Sequence, residues 1–168
     1  YEQLGNEIDE TTEATQLFVI GDFNARLHYI QEHEAAISNQ IPPNCTKGEA
    51  AIKKQDKNTA KNRELFIELC LTKNLYITNY KNPLPPINTF TYREIGTKIG
   101  PPWTPQRYQT LDYVLTRQKD KNAVLWTKSE PKVMIDTQHF LLETEILAKV
   151  KKQPKKKLKK KFSFFPPK

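Results

Sequence analysis

Leu17-Phe18-Val19-Ile20-Gly21-Asp22-Phe23-Asn24 decides the architecture of this 168-residue chain. Four apolar residues in a row predict a short strand buried on both faces. Gly21 ends the run, and an acid and an amide follow two positions apart. An apolar strand thereby delivers Asp22 and Asn24 to its C-terminal edge, where open α/β sheets place their chemistry. On spacing alone, a strand closed by an idle polar turn is an equal alternative.

Upstream, residues 1–16 are polar and acidic, and Leu4 and Ile8 at a four-residue spacing predict helical turns leading into the strand. Downstream, residues 29–59 are polar, with Pro42-Pro43 and Gly48, and read as a long loop with a short helix near 30–37. Leu65, Phe66, Leu69 and Cys70 lie on one face of a helix over 60–73, with Asn58 or Thr59 placed to cap it and Asn74 to end it. Residues 75–80 predict a strand that prolines 83, 85 and 86 break, and Thr89-Phe90-Thr91-Tyr92 starts another. A Gly/Pro-rich loop follows, holding Trp103 and Arg107. Strands are then expected over 110–116, 123–128, 132–135 and 140–147.

The net charge of +8 is concentrated at one end. Ten lysines and no acid occupy 149–168, so the remaining 148 residues carry net −2. From about Ala148 the sequence is lysine-rich and low in apolar residues, a composition expected to be disordered alone. A nucleic-acid partner inferred from overall charge is therefore inferred from the tail, RNA included. The same lysines fit a nuclear-import signal. Cys45 and Cys70 lack metal-ligand spacing and read as reduced thiols in an intracellular setting, nuclear or cytoplasmic. No apolar run approaches ~18 residues, so no membrane span is expected. The opening at Tyr1 instead of Met suggests a domain cut from a longer protein.

Three pieces in order then carry a resemblance: Gly21-Asp22-Phe23-Asn24; Leu111-Asp112-Tyr113, preceded by Thr89-Phe90-Thr91-Tyr92; and Thr137-Gln138-His139-Phe140-Leu141. They resemble the Gly-Asp-x-Asn, Thr-x-x…Leu-Asp-Tyr and Ser-Asp-His motifs of the endonuclease/exonuclease/phosphatase (DNase I-like) superfamily. A longer likeness through 93–113, including Gly100-Pro101-Pro102-Trp103, is similar to the endonuclease domain of RTE-type non-LTR retrotransposons and to craniofacial development protein 2-like sequences. The resemblance covers about 17–147. It implies an α/β fold, half of a four-layer DNase I-like sandwich. Residues 1–147 would form the C-terminal half of that domain and 148–168 a disordered lysine-rich tail, with a reverse transcriptase domain downstream in the intact polyprotein.

The implied activity is magnesium- (or manganese-) dependent nicking of DNA for target-primed reverse transcription. Cleaving an anionic phosphodiester needs an oriented water, a divalent cation and donors to non-bridging oxygens. The resemblance assigns water alignment and deprotonation to Asp22. Asn24 would donate to a phosphate oxygen, and His139 would offer its imidazole to the phosphate or the moving proton. Asp112 would hold the other ring nitrogen of His139. Two departures follow. The family's acid before the histidine is Gln138, an amide without charge for a hard cation, with Asp136 two residues away. The superfamily's first half, which supplies an Asn and a Glu to the metal, has no counterpart before Leu17, so this fragment alone is expected to be inactive.

Arg93, Trp103, Arg107 and Arg117 surround the Pro/Gly loop and are weaker candidates for contacting a nucleic-acid backbone or stacking on a base. Solvated arginines and a packed tryptophan are the equal alternative. His28 and His33, with Glu32 and Glu34, do not match a known zinc spacing. Two other functions stay open: a non-catalytic remnant that binds nucleic acid through its lysines, and a phosphoesterase of the same fold acting on phosphoinositides or other phosphomonoesters.

Overall fold

A computed structural model describes residues 1–13, 15–27, 32–38, 57–104, 107–133 and 136–148. The lysine tail, His28, Cys45 and most of the 29–59 loop lie outside the described residues, as does the side chain of His33.

Helix α1 (Glu2–Glu10) turns Ile8 inward, with Leu4 packed beside it. Its Gly5 lies against the next helix, where an added Cβ would come within 3.0 Å of Lys73 Cε. Helix α2 (Lys57–Thr72) buries Phe66, Ile67, Leu69 and Cys70. Asn74, at φ 51, ends it in the left-handed conformation that Asn tolerates. Leu65, expected on the apolar face, is exposed, and the helix turns Arg63 inward instead. That guanidinium donates to both oxygens of buried Glu34, at 3.1 and 2.5 Å, fastening α2 to the short 3-10 helix Glu32–Ile37.

The central sheet has three antiparallel strands in the order β1 (Phe18–Asp22), β5 (Asp112–Arg117), β2 (Leu75–Ile77). Two further two-stranded sheets pair β3 (Tyr92–Arg93) with β4 (Tyr108–Gln109) and β6 (Val124–Glu130) with β7 (Leu141–Ile146). The main core sits where α1 and α2 cover the central sheet, with Phe66, Tyr113, Leu75, Ile77 and Leu115 fully buried. Phe90, Tyr108 and Phe140 form a second cluster, with Ile87 and Trp103 packed against it. No described helix is long and apolar enough to cross a membrane.

Several strand expectations are corrected. β1 is not buried on both faces: among the described residues it is one of the sheet's two edge strands, and Ile20 is 67 % exposed. Its pairing is antiparallel throughout, so the chemistry is not placed by the carboxyl ends of a parallel sheet. The strand expected over 75–80 stops at Ile77 because side chains take over the ladder. The Thr78 hydroxyl donates to the Val114 carbonyl at 2.9 Å, while Asn79 donates to Asp112 O and accepts from Val114 N, each at 3.0 Å. Residues 89–90 close a 3-10 turn on Pro86 O, so that strand begins only at Tyr92. The described part of 132–135 is a turn, closed by Val133 N on Glu130 O.

Candidate active site

The β1–β5 register sets Asp22 directly opposite Asp112. Residues opposed in an antiparallel pair project to the same face, and like charges so placed repel by a few tenths to about 1 kcal/mol. The strand end is held firmly nonetheless. Phe23 N continues the ladder to Leu111 O at 2.9 Å, and the Phe23 carbonyl accepts from Tyr1 Oη at 3.1 Å and Asn62 Nδ2 at 2.9 Å. The Phe23 ring packs 5.0 Å from Phe66, so alternation carries Phe23 into the core and leaves Asp22 and Asn24 exposed.

Asn24 turns back on Asp22. Its backbone N–H donates to Asp22 Oδ1 at 2.9 Å and its amide Nδ2 to Oδ2 at 3.3 Å, a local turn made with Asn24 at φ 50. The amide thus orients the carboxylate through both oxygens.

His139 arrives from a segment that has no named strand of its own. It forms an isolated bridge with Tyr92, and Arg93 N donates to Gln138 O at 3.1 Å. His139 Nδ1 lies 2.9 Å from Asp112 Oδ2, although 27 positions separate them. A carboxylate only accepts, so Nδ1 carries the proton and Nε2 is left for other partners. The Tyr92 ring meets the imidazole edge-on at 5.3 Å between centroids, which further limits its rotation. One ligand atom each from Asp22, Asp112 and His139 lie within 4.8 Å of one another. Asp22, Asn24, Asp112 and His139 therefore meet in one place.

The other candidates do not join them as one surface. Arg117 is buried, and its guanidinium donates to the carbonyls of Ile8, Thr11, Thr12 and Thr15, closing the C-terminus of α1. As a nucleic-acid contact it is corrected: it is buried, carbonyls take four of its N–H donors, and Nε lies 3.9 Å from Glu13 Oε1. Trp103 packs edge-on at 4.8 Å on Tyr108 and Arg93 donates to Thr97 O at 3.3 Å, whereas Arg107 is exposed. Gln138 and Asp136 are both exposed, and neither belongs to the described His/Asp cluster.

Sequence reasoning missed the supports of the site. Asn79 holds the Asp112 carbonyl, and the buried Thr91 hydroxyl accepts from the backbone of Leu111 and Asp112. The signal was present in Thr89-Phe90-Thr91-Tyr92, where a threonine recurs next to an aromatic pair, but spacing alone does not tell which hydroxyl turns inward. No model of a known protein family matches the chain, and no curated protein matches it.

Proposed function

We propose that this chain carries the nucleophile side of a metal-dependent phosphodiesterase site and that its substrate class is DNA, cut by endonucleolytic nicking. The observation that carries the reading is the convergence of Asp22, Asn24 and the Asp112–His139 pair at one end of the β1–β5 ladder. In the proposed reaction Asp22, held by Asn24, aligns a water and takes its proton. His139, as the imidazolium, would donate from Nε2–H to a non-bridging phosphate oxygen while Asp112 accepts from Nδ1–H and keeps the ring in place. The pair thereby meets developing negative charge with a donor whose orientation is set beforehand.

The donor set fits a hard divalent cation, magnesium or manganese. Asp22 and Asp112 offer carboxylate oxygens across one ladder position, and such cations keep several waters beside one or two carboxylates. When bound, the cation would supply charge for the phosphoryl oxygens. Asp112 already serves His139 and Asp22 the water, however, so neither carboxylate is free for a cation alone, and a further acid from outside the cluster is required for full activity.

On this reading residues 1–147 are the C-terminal half of a DNase I-like four-layer sandwich of the retrotransposon endonuclease kind. The edge position of β1 and its exposed Ile20 support it, because another strand would find unpaired backbone there. The lysines of 149–168 add nucleic-acid affinity next to a near-neutral remainder. The test is nicking of supercoiled plasmid in magnesium by a polypeptide that extends upstream of Tyr1, alone and with Asp22→Ala. Release of phosphate from phosphomonoesters without nicking would favour the phosphoesterase reading instead.

A further inference from the structure

The proposed site needs two segments far apart in sequence, 111–112 and 139–140, to meet, and one residue bonds to both. Thr91 is fully buried. Its Oγ1 accepts from Leu111 N at 2.9 Å and from Asp112 N at 3.0 Å. Its carbonyl accepts from Phe140 N at 2.7 Å, and its own N–H donates to Gln109 O at 2.9 Å. A hydroxyl has two acceptor lone pairs, and here both go to successive backbone N–H groups. Strand β5 starts at Asp112, and β1 continues the ladder only through Phe23 N on Leu111 O. The Thr91 hydroxyl thus accepts the backbone N–H groups at the point where Asp112 leaves the sheet. Its carbonyl, three bonds away, sets where the chain runs immediately after His139.

We infer that Thr91 is a positioning residue for the Asp112–His139 pair, an inference that rests on the reading of that pair as part of a phosphodiesterase site. A valine has the same shape and leaves two buried N–H groups without an acceptor. Their search for other partners moves Asp112 relative to His139, and the Nδ1–Oδ2 contact loosens. Serine keeps the hydroxyl and should keep the contact.

The experiment uses the whole chain with nitrogen-15 histidine, and reads the Nδ1–H resonance of His139, assigned by its loss in His139→Ala. The wild type and Thr91→Ser should show a hydrogen-bonded, slowly exchanging signal, and Thr91→Val should lose it to solvent exchange. Thr116→Val is the matched control. Thr116 is also fully buried and donates to Leu17 O at 2.8 Å, but it lies at the far end of the β1–β5 ladder, so its variant should melt lower and keep the signal. Retention of the signal in Thr91→Val, or its loss in Thr116→Val as well, would overturn the inference. If Thr91→Val does not fold, hydrogen exchange in the wild type decides: protected Leu111 and Asp112 amides support the inference and freely exchanging ones overturn it. In a nicking form of the protein, Thr91→Val should lower kcat roughly 10–100-fold with KM little changed. The resonance needs no catalysis, so absence of nicking in every form would remove the proposed function and leave the Thr91 result to be read separately.

Discussion

Arg117→Ala should be a stability mutation without a binding phenotype. Four carbonyls at the end of α1 accept from this one guanidinium, at 3.4 Å for Ile8, 2.8 Å for Thr11 and 3.1 Å for both Thr12 and Thr15. Each belongs to, or follows, a helix end whose last carbonyls have no partner within the helix. Hydrogen bonds to a charged group contribute about 1.5–3 kcal/mol each, but the four share one side chain and water can reach the three part-buried carbonyls on removal. A net loss of about 2–4 kcal/mol follows, which for a domain of this size lowers Tm by roughly 5–15 °C. Arg117→Lys, with a point charge and three donors in place of the planar fork, should fall between. The assay is a thermal melt beside fluorescence anisotropy on a labelled duplex at constant salt. Expected are a clear drop in Tm and a duplex affinity within about twofold of wild type, because the side chain is buried and four of its donors are already taken. An unchanged Tm with weakened duplex binding would refute the reasoning and return Arg117 to the nucleic-acid surface.

Other outcomes follow from the same geometry. Asp22→Asn removes one of two facing acids, so in chelator it should match or slightly exceed the wild-type Tm; manganese should raise the wild-type Tm and leave the variant unmoved, as differential scanning fluorimetry would show. Burial raises the Cys70 thiol from 9.0 to about 12, and it lifts the Tyr113 phenol well above its usual 10.0. Both groups hold their protons in the folded state while the unfolded chain releases them. Their contribution to stability is therefore complete below about pH 9 and declines as pH rises toward 12, and urea midpoints should fall across that window, less steeply in Cys70→Ala. Deleting 149–168 removes ten lysines from a chain of net +8, so affinity for non-specific duplex should collapse, and each lost phosphate contact should flatten the slope of log K against log salt by about 0.9.

The site was legible in the sequence to the extent that residue type reports chemistry. The acid and amide after Ile20, the acid in Leu111-Asp112-Tyr113 and the histidine at 139 could be picked out, and the fold brings them together. Helix α2 was legible from its apolar spacing, apart from Leu65, because a helix face is a local property. Strand direction and edge position were not, since both depend on partners far along the chain: β1 meets β5 across about ninety residues, and an apolar run reads the same at an edge as in a sheet's middle. The early end of β2 at Ile77 was missed for another reason. Thr78 and Asn79 have side chains that replace backbone pairing, and a strand-like composition hides that substitution. Arg117 shows the limit for charge. Its sign points to a phosphate, but only the tertiary fold shows that four carbonyls already surround it.

In the proposed site the Asp22–Asn24 turn and the Asp112–His139 pair act together on one phosphodiester. The most direct measurement is the nicking rate of supercoiled plasmid in magnesium by a polypeptide carrying this sequence with its upstream residues, compared with Asp22→Ala and His139→Ala in the same background. Open-circular product is expected from the parent, with a loss in each variant of several kcal/mol of transition-state stabilisation, where each ~1.4 kcal/mol is tenfold in rate. The 168-residue chain by itself should be far slower, since both carboxylates of its cluster already serve the water and His139. Nicking that persists undiminished in Asp22→Ala and His139→Ala would show that these residues do not cut the phosphodiester.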